Sequence, residues 1–218
     1  MKYIKIFLVI FIVLGFQDTF SQIKTYGKIY PFDDSKDDPS FTAFLTELKT
    51  ALNNKDKKFI YNILDPKIEF DFGLKPGKKG FWKFWKLDDE SSKFWDTFSE
   101  VINLGFVKGG NEGYCFPYYW GNEKLEGFEC NAIIAIKENV KVYSSPDKNS
   151  EVLDSLSYDI VLGDYETFGD DEIWYEIKIN RNLKGYISDL DAKGVCDYRG
   201  GFIFENNKWI LNWFLAGD

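Results

Sequence analysis

The chain contains no histidine. That absence removes serine–histidine and cysteine–histidine catalysis, histidine-ligated zinc and an imidazole base working near neutrality. Carboxylates, cysteines and a large set of aromatic rings remain to do chemistry. Asp88, Asp89 and Glu90 sit together between two helical stretches, and a carboxyl pair roughly 5 to 9.5 Å apart is what glycoside hydrolysis needs. The same residues also suit a solvated linker whose charges favour the N-terminus of the next helix. Asp170, Asp171 and Glu172 offer oxygens to a cation but lack the alternation of a calcium loop, and read as a solvated hairpin tip. Cys115, Cys130 and Cys196 are too widely spaced for a zinc motif. One bridge with one thiol left over, and three buried thiols, both fit. No metal and no cofactor is expected.

These groups need elements to position them. Ser40 is placed to cap a helix whose apolar residues Phe41, Phe44, Leu45, Leu48 and Leu52 recur three and four apart, until Asn53-Asn54 ends it. A second helix near 56–64 carries Phe59, Ile60, Ile63 and Leu64 and stops at Pro66. Ile68, Phe70 and Phe72 alternate with Glu69 and Asp71 as a half-buried strand does, ahead of the turn-rich Pro76-Gly77-Lys78-Lys79-Gly80. Phe81, Trp82, Phe84 and Trp85 crowd large rings too closely for one narrow stripe. Either one of them is exposed or the buried face is broad and lies under the end of the chain. Phe94, Trp95, Phe98, Val101 and Ile102 form one helical stripe over 92–104, with Ser91 or Ser92 as the cap and Gly105 at a left-handed end. From Tyr114 onward the pattern is that of strands. The last segment is a hairpin, with Asn206-Asn207 as its turn and a register that pairs Phe204 with Trp209, Phe202 with Leu211 and Glu205 with Lys208. Its apolar face needs a core, and the upstream helices offer matching stripes.

Lys2 and Lys5 precede an apolar run from Ile6 to Phe16 and the small residues Thr19 and Ser21. That is the layout of a secretory signal peptide over 1–21, cleaved before Gln22. The run is too short for a stable membrane anchor, and no cysteine follows it as in a lipoprotein. The expected location is therefore exported, periplasmic or extracellular. Loss of Lys2, Lys5 and Asp18 takes the formal charge from −8 to about −9, which argues against a nucleic-acid partner. Residues 22–39 crowd Asp33, Asp34, Lys36, Asp37 and Asp38 with little periodicity and predict a mobile lead-in. Aromatic residues make up 19% of the chain, ample for packed cores.

Within 139–190, Val140 and Val142 flank Lys141, Ser144-Ser145-Pro146 turns the chain, and Ser150-Glu151-Val152-Leu153 leads to Leu156. A further strand covers Asp159 to Leu162, then come Ile173-Trp174-Tyr175-Glu176-Ile177 and Lys184-Gly185-Tyr186-Ile187. In this order and spacing the stretch resembles the bacterial SH3-like family, over about fifty residues. It departs from the family at Tyr143, where arginine or asparagine is usual, and at Tyr158-Asp159, where a glycine is usual. Leu48 to Asp56, Ile63-Leu64-Asp65-Pro66, Leu156 to Val161 and the final Lys208 to Asp218 are similar to uncharacterised exported bacterial proteins in which such a domain sits inside a small α+β unit. The resemblance implies a small barrel over 131–194, inserted into an α+β domain of 40–130 and 195–218 and tethered near Cys130 and Cys196. It also implies a peptide groove drawing on Tyr143, Tyr165, Phe168, Trp174, Tyr175 and Tyr186. Trp174 and Tyr186 are equally placed to close a barrel core. Family members often accompany cell-wall peptidases of the cysteine–histidine kind, for which this chain lacks the histidine.

Together these features predict an α+β fold: an N-terminal helical segment completed by a C-terminal β-hairpin, with an inserted small SH3-like β-barrel. The expected function is that of a non-enzymatic exported binding protein whose partner is a peptide, peptidoglycan or an envelope protein, with no stable transmembrane anchor after signal cleavage. Two other classes compete with it. One is a histidine-free carboxylate hydrolase acting on glycans through Asp88 or Asp89. The other is a purely structural envelope protein in which Tyr143, Trp174 and Tyr186 are buried.

Overall fold

The computed structural model describes residues 23–110, 113–168 and 172–217; the expected signal peptide lies outside them. In chain order the elements are α1 (Pro39–Asn53), α2 (Lys57–Ile63), β1 (Leu64–Glu69), α3 (Lys78–Phe84), α4 (Phe94–Ile102), β2 (Val107–Lys108) and β3 (Tyr114–Phe116). They continue with β4 (Ala132–Ala135), β5 (Val140–Tyr143), β6 (Val152–Leu156), β7 (Ile160–Phe168), β8 (Glu172–Lys178) and β9 (Lys184–Ser188). The last are β10 (Ala192–Gly194), β11 (Arg199–Glu205) and β12 (Lys208–Leu215). A five-stranded sheet has the order β1-β12-β11-β3-β2, and a seven-stranded sheet the order β10-β4-β7-β8-β9-β5-β6.

This architecture overturns the expected fold class in two respects. The described residues are mostly β, and the four short α-helices among them do not form a unit closed by a lone hairpin. They lie on a sheet to which the N-terminal half itself contributes β1, β2 and β3. The inserted region is also not a closed barrel. β4 extends the N-terminal part of β7 (residues 160–162) while β8 pairs with its remainder (163–168). The strand order therefore runs on through β4 to β10 at one end and stops at β6 at the other; β10 and β6 do not pair, and the sheet stays open.

Local chemistry explains the helix ends. Asp38, not Ser40, caps α1: its carboxylate accepts from the N–H groups of Ser40 at 2.9 Å and Phe41 at 3.0 Å. Pro39, with a preset φ and no N–H, belongs in the first turn, which moves the cap back by two residues, from Ser40 to Asp38. The Ser40 hydroxyl instead accepts from the Trp209 indole at 3.1 Å. Asp56 caps α2 through the Phe59 N–H at 2.9 Å. Leu64 then turns extended, and Asp65, as the residue before Pro66, is biased away from helix, so β1 begins at once.

The terminal hairpin has the register expected of it, Phe202 facing Leu211, Phe204 facing Trp209 and Glu205 facing Lys208. Asn206 and Asn207 both adopt positive φ, 50° and 59°, as a two-residue hairpin turn requires. Beside the hairpin, β1 pairs with β12 in parallel and β3 pairs with β11 antiparallel. Gly201 is needed where these strands meet, because a Cβ there would stand 2.3 Å from the Trp213 indole nitrogen. On the covered face the ring of Phe41, fully buried, lies 4.4 Å from that of Tyr114, 4.6 Å from Trp209 and 5.0 Å from Phe106, centroid to centroid.

The expected mobile lead-in is instead a packed strap over residues 23–35. Ile23 and Ile29 are buried, and Tyr26 N–H donates to Ile160 O at 2.8 Å while Ile160 N–H donates to Gly27 O at 2.9 Å. Lys28 pairs with Asp159 at 2.9 Å. The apolar residues Ile23, Tyr26 and Ile29 supply the anchors that the acidic residues after them obscure in the sequence.

Cys130 and Cys196 form a disulfide across a sequence separation of 66, and Cys115 is a free, partly buried thiol pushed up by desolvation. The bridge joins the point where the chain enters the second sheet to the point where it leaves.

Replacing both bridged cysteines by serine is expected to lower stability by about 4 kcal/mol, the chain-entropy value for a loop of this length, read by urea unfolding. Phe41→Ala is expected to cost about 3–5 kcal/mol in the same measurement, as loss of a fully buried ring does.

Candidate functional site

The six aromatic residues expected to line a groove do not act as one group. Tyr143 on β5 pairs with Tyr186 on β9, and the Tyr143 ring meets Trp174 edge-on at 5.8 Å. Trp174 is only 1% exposed and is interior packing, whereas Tyr143 and Tyr186 are half-buried. The Tyr186 hydroxyl, half-buried, donates to Glu176 at 3.1 Å, and Glu176 also pairs with Lys184 at 2.6 Å. Hydrogen bonding by Lys184 and then Tyr186 holds the Glu176 carboxyl below its usual range despite partial desolvation. Tyr175, next along β8, is buried on the opposite face. Tyr165 and Phe168 belong to β7, opposite Tyr175 and Glu172, but their side chains fall outside the described residues, as do Asp170 and Asp171.

The carboxylates singled out between the helices have structural partners. Asp89 accepts from the Ser91 N–H at 2.9 Å and the Ser91 hydroxyl at 2.8 Å. Those two hydrogen bonds hold its carboxyl below the usual range, the wrong direction for a general acid at neutral pH. Asp88 accepts from the Trp82 indole N–H at 2.9 Å.

That last bond belongs to a pocket that sequence reasoning missed. α3 buries Phe81 and Trp85, which are four apart and share one face. Their packing against Phe94 and, through Trp85, Phe214 forces Lys79, Trp82 and Lys83 outward. Across from them α2 presents Lys57, Lys58 and Tyr61, and Lys86 closes the rim of a cavity of about 680 Å³. The Tyr61 and Trp82 rings meet edge to face at 5.6 Å. The Lys78 ammonium sits 5.0 Å over the Tyr61 ring and donates to Tyr61 O at 3.0 Å. Lys57 pairs with Glu90 at 3.3 Å. Among the described residues, Lys58, Lys79, Lys83 and Lys86 have no carboxylate within ion-pair distance. The signal was present in the sequence: residues 72–87 carry Lys75, Lys78, Lys79, Lys83 and Lys86 and not one Asp or Glu. The negative net charge of the whole chain conceals it.

A second cavity, about 290 Å³, lies at the seam between the sheets, lined by α4 on one side and by β8, β10 and the Cys196–Tyr198 segment on the other. Glu100 of α4 and Lys193 of β10 pair across it at 2.5 Å, with Lys193 buried. The Asp197 carboxylate accepts from the Tyr175 hydroxyl and from Gly194 N–H, the latter at 2.8 Å. Desolvation nonetheless outweighs these bonds and pushes the Asp197 carboxyl up, and desolvation raises Asp189 as well. The Tyr175 hydroxyl is pushed up by burial and by the charge of Asp197. Burial at the seam thus favours the protonated forms of Asp189, Asp197 and Tyr175.

Comparison of the chain with protein-family models, curated proteins and solved structures finds no match. Among the described residues no helix is long and apolar enough to cross a membrane, and no group of three or more His, Cys, Asp or Glu side chains could hold a metal ion.

Asp197 keeps its proton to higher pH in the folded chain than in the unfolded one, so its contribution to stability falls as pH rises through the folded value. Asp197→Asn removes that dependence. The stability of the variant relative to wild type is therefore expected to increase between pH 4 and pH 7, a trend that urea midpoints measured at several pH values will show.

Proposed function

We propose that the protein is a binding protein for an anionic ligand, held by the lysine-rimmed pocket between α2 and α3. The observation that carries this is the collection of Lys57, Lys58, Lys79, Lys83 and Lys86 around Tyr61 and Trp82 in a chain of net charge −8. Like charges gathered on one surface repel, and an incoming anion relieves that repulsion. Ammonium groups are compact point charges that suit phosphate without the forked geometry arginine provides. The two rings add an apolar floor on which the uncharged part of the ligand lies.

This reading keeps the expected class, a non-enzymatic exported binding protein, and moves the ligand away from the second sheet. There two of the aromatic residues expected to form a peptide groove, Trp174 and Tyr175, are buried.

Tripolyphosphate titrated at low salt, with tryptophan fluorescence as the readout, tests the proposal. Binding is expected to weaken as salt rises. Lys79→Ala with Lys83→Ala is expected to weaken it about tenfold, as loss of two exposed ionic contacts of ~0.7 kcal/mol each implies. Replacing the distant Lys148 in the same way is expected to change nothing. An affinity unaltered by the Lys79 and Lys83 changes, or no binding at all, would sink the proposal.

A further inference from the structure

We infer that the anion read by these lysines is the headgroup layer of an anionic phospholipid bilayer, and that residues 72–86 are the part of the chain that seats on it. The inference rests on the anionic-ligand reading of the pocket, but a separate set of residues carries it. Phe72 is 61% exposed, Leu74 53% and Phe84 40%. None of the three lines the pocket, and a site for a small soluble anion has no use for three large apolar side chains in water on the segment that carries its lysines.

The turn that presents them is built, not frayed. The Asp71 carboxylate accepts from Gly73 N–H at 2.7 Å and Leu74 N–H at 2.9 Å, and Gly77 N–H donates to Ile68 O at 2.8 Å. Phe72 and Leu74 are thereby held outward at the tip of the connection between β1 and α3. Phe84 flanks α3 on the side of Phe70, with ring centroids 5.5 Å apart, while Trp82 flanks it on the side of Tyr61. Lys79 and Lys83 lie between the two flanks on the outer face.

This combination suits the boundary between headgroups and acyl chains. Apolar side chains enter it, tryptophan sits at its polar edge, and long lysine stems lie along apolar surface while their ammonium groups stay with the phosphates. The segment has five lysines and no carboxylate, so its charge complements an anionic leaflet. Since no described helix is long and apolar enough to cross a membrane, the attachment of this segment is peripheral.

Flotation of the full chain with vesicles of equal phosphatidylglycerol and phosphatidylcholine, against vesicles of phosphatidylcholine alone, tests the inference. The quantity read is the excess partition to the anionic vesicles, so that whatever residues 6–16 contribute to both is removed. An excess of at least tenfold is expected, falling by at least threefold in Phe72→Ser with Leu74→Ser and in Lys79→Glu with Lys83→Glu. Far-ultraviolet circular dichroism and urea midpoints confirm that these surface variants fold. The Phe72 and Leu74 changes are expected to leave tripolyphosphate affinity intact. Tripolyphosphate binding without any vesicle excess overturns the bilayer and spares the pocket; absence of both overturns the two together. An excess that neither pair of substitutions reduces overturns the inference. So does sedimentation showing a dimer that the Phe72 and Leu74 changes dissociate, which would assign the apolar turn to a second copy of the chain.

Discussion

The last hairpin of the chain fills the middle of its first sheet, and the N-terminal half is organised around that fact. Without β12, strand β1 has no partner in the sheet; without β11, β3 is left with only the two-residue β2. The hairpin also brings Phe202, Trp209, Leu211 and Phe214 to the core on which α1 and α4 rest. Unpaired strand edges and an uncovered apolar face are each costly in water. The N-terminal elements are therefore complete only after the chain has passed through the whole second sheet and returned. The neck of that excursion is correspondingly well fastened. The Cys130–Cys196 bridge closes it, Glu100 reaches across to Lys193, and buried Arg199 binds the carbonyls of Asp197 and Gly217.

The lysine-rimmed surface follows from the same core. Because Trp85 stacks on Phe214 and Phe81 meets Phe94 edge to face, the rotation of α3 about its axis is fixed, and its remaining side chains have only the outside left to them. A surface charge of one sign is thereby concentrated on an acidic protein. Net charge reports how a molecule behaves beyond a Debye length; within about 10 Å, local lysines govern what approaches. The two scales point to different partners, and a ligand meets the local one.

At the seam, burial and hydrogen bonding oppose each other. The Asp197 carboxylate is well supplied with donors, which on their own would favour the ionised form. Loss of water costs more than those bonds return, and its proton is held more tightly. The strap of residues 23–35, the seam cluster and the disulfide together hold the second sheet against the first through several independent attachments, which suits a fixed surface better than a swinging module.

Much of the local structure was legible in the order of residues. The periodicity of Phe94, Trp95, Phe98, Val101 and Ile102, the stop before Pro66, and the hairpin register about Asn206-Asn207 are all set by interactions between near neighbours in the chain. Three things depended on contacts between distant segments. A strand's second edge can be filled by any segment of suitable shape, so nothing local distinguishes an open sheet with β4 on β7 from a closed barrel. Whether Trp174 packs or binds turns on what covers it, here β5 with Tyr143. The lysines of α2 and α3 become one pocket only because β1 and the far end of the chain set the two helices side by side. Side-chain type and spacing determined which elements form; which edges pair and which faces remain open was decided by the core that the last hairpin completes.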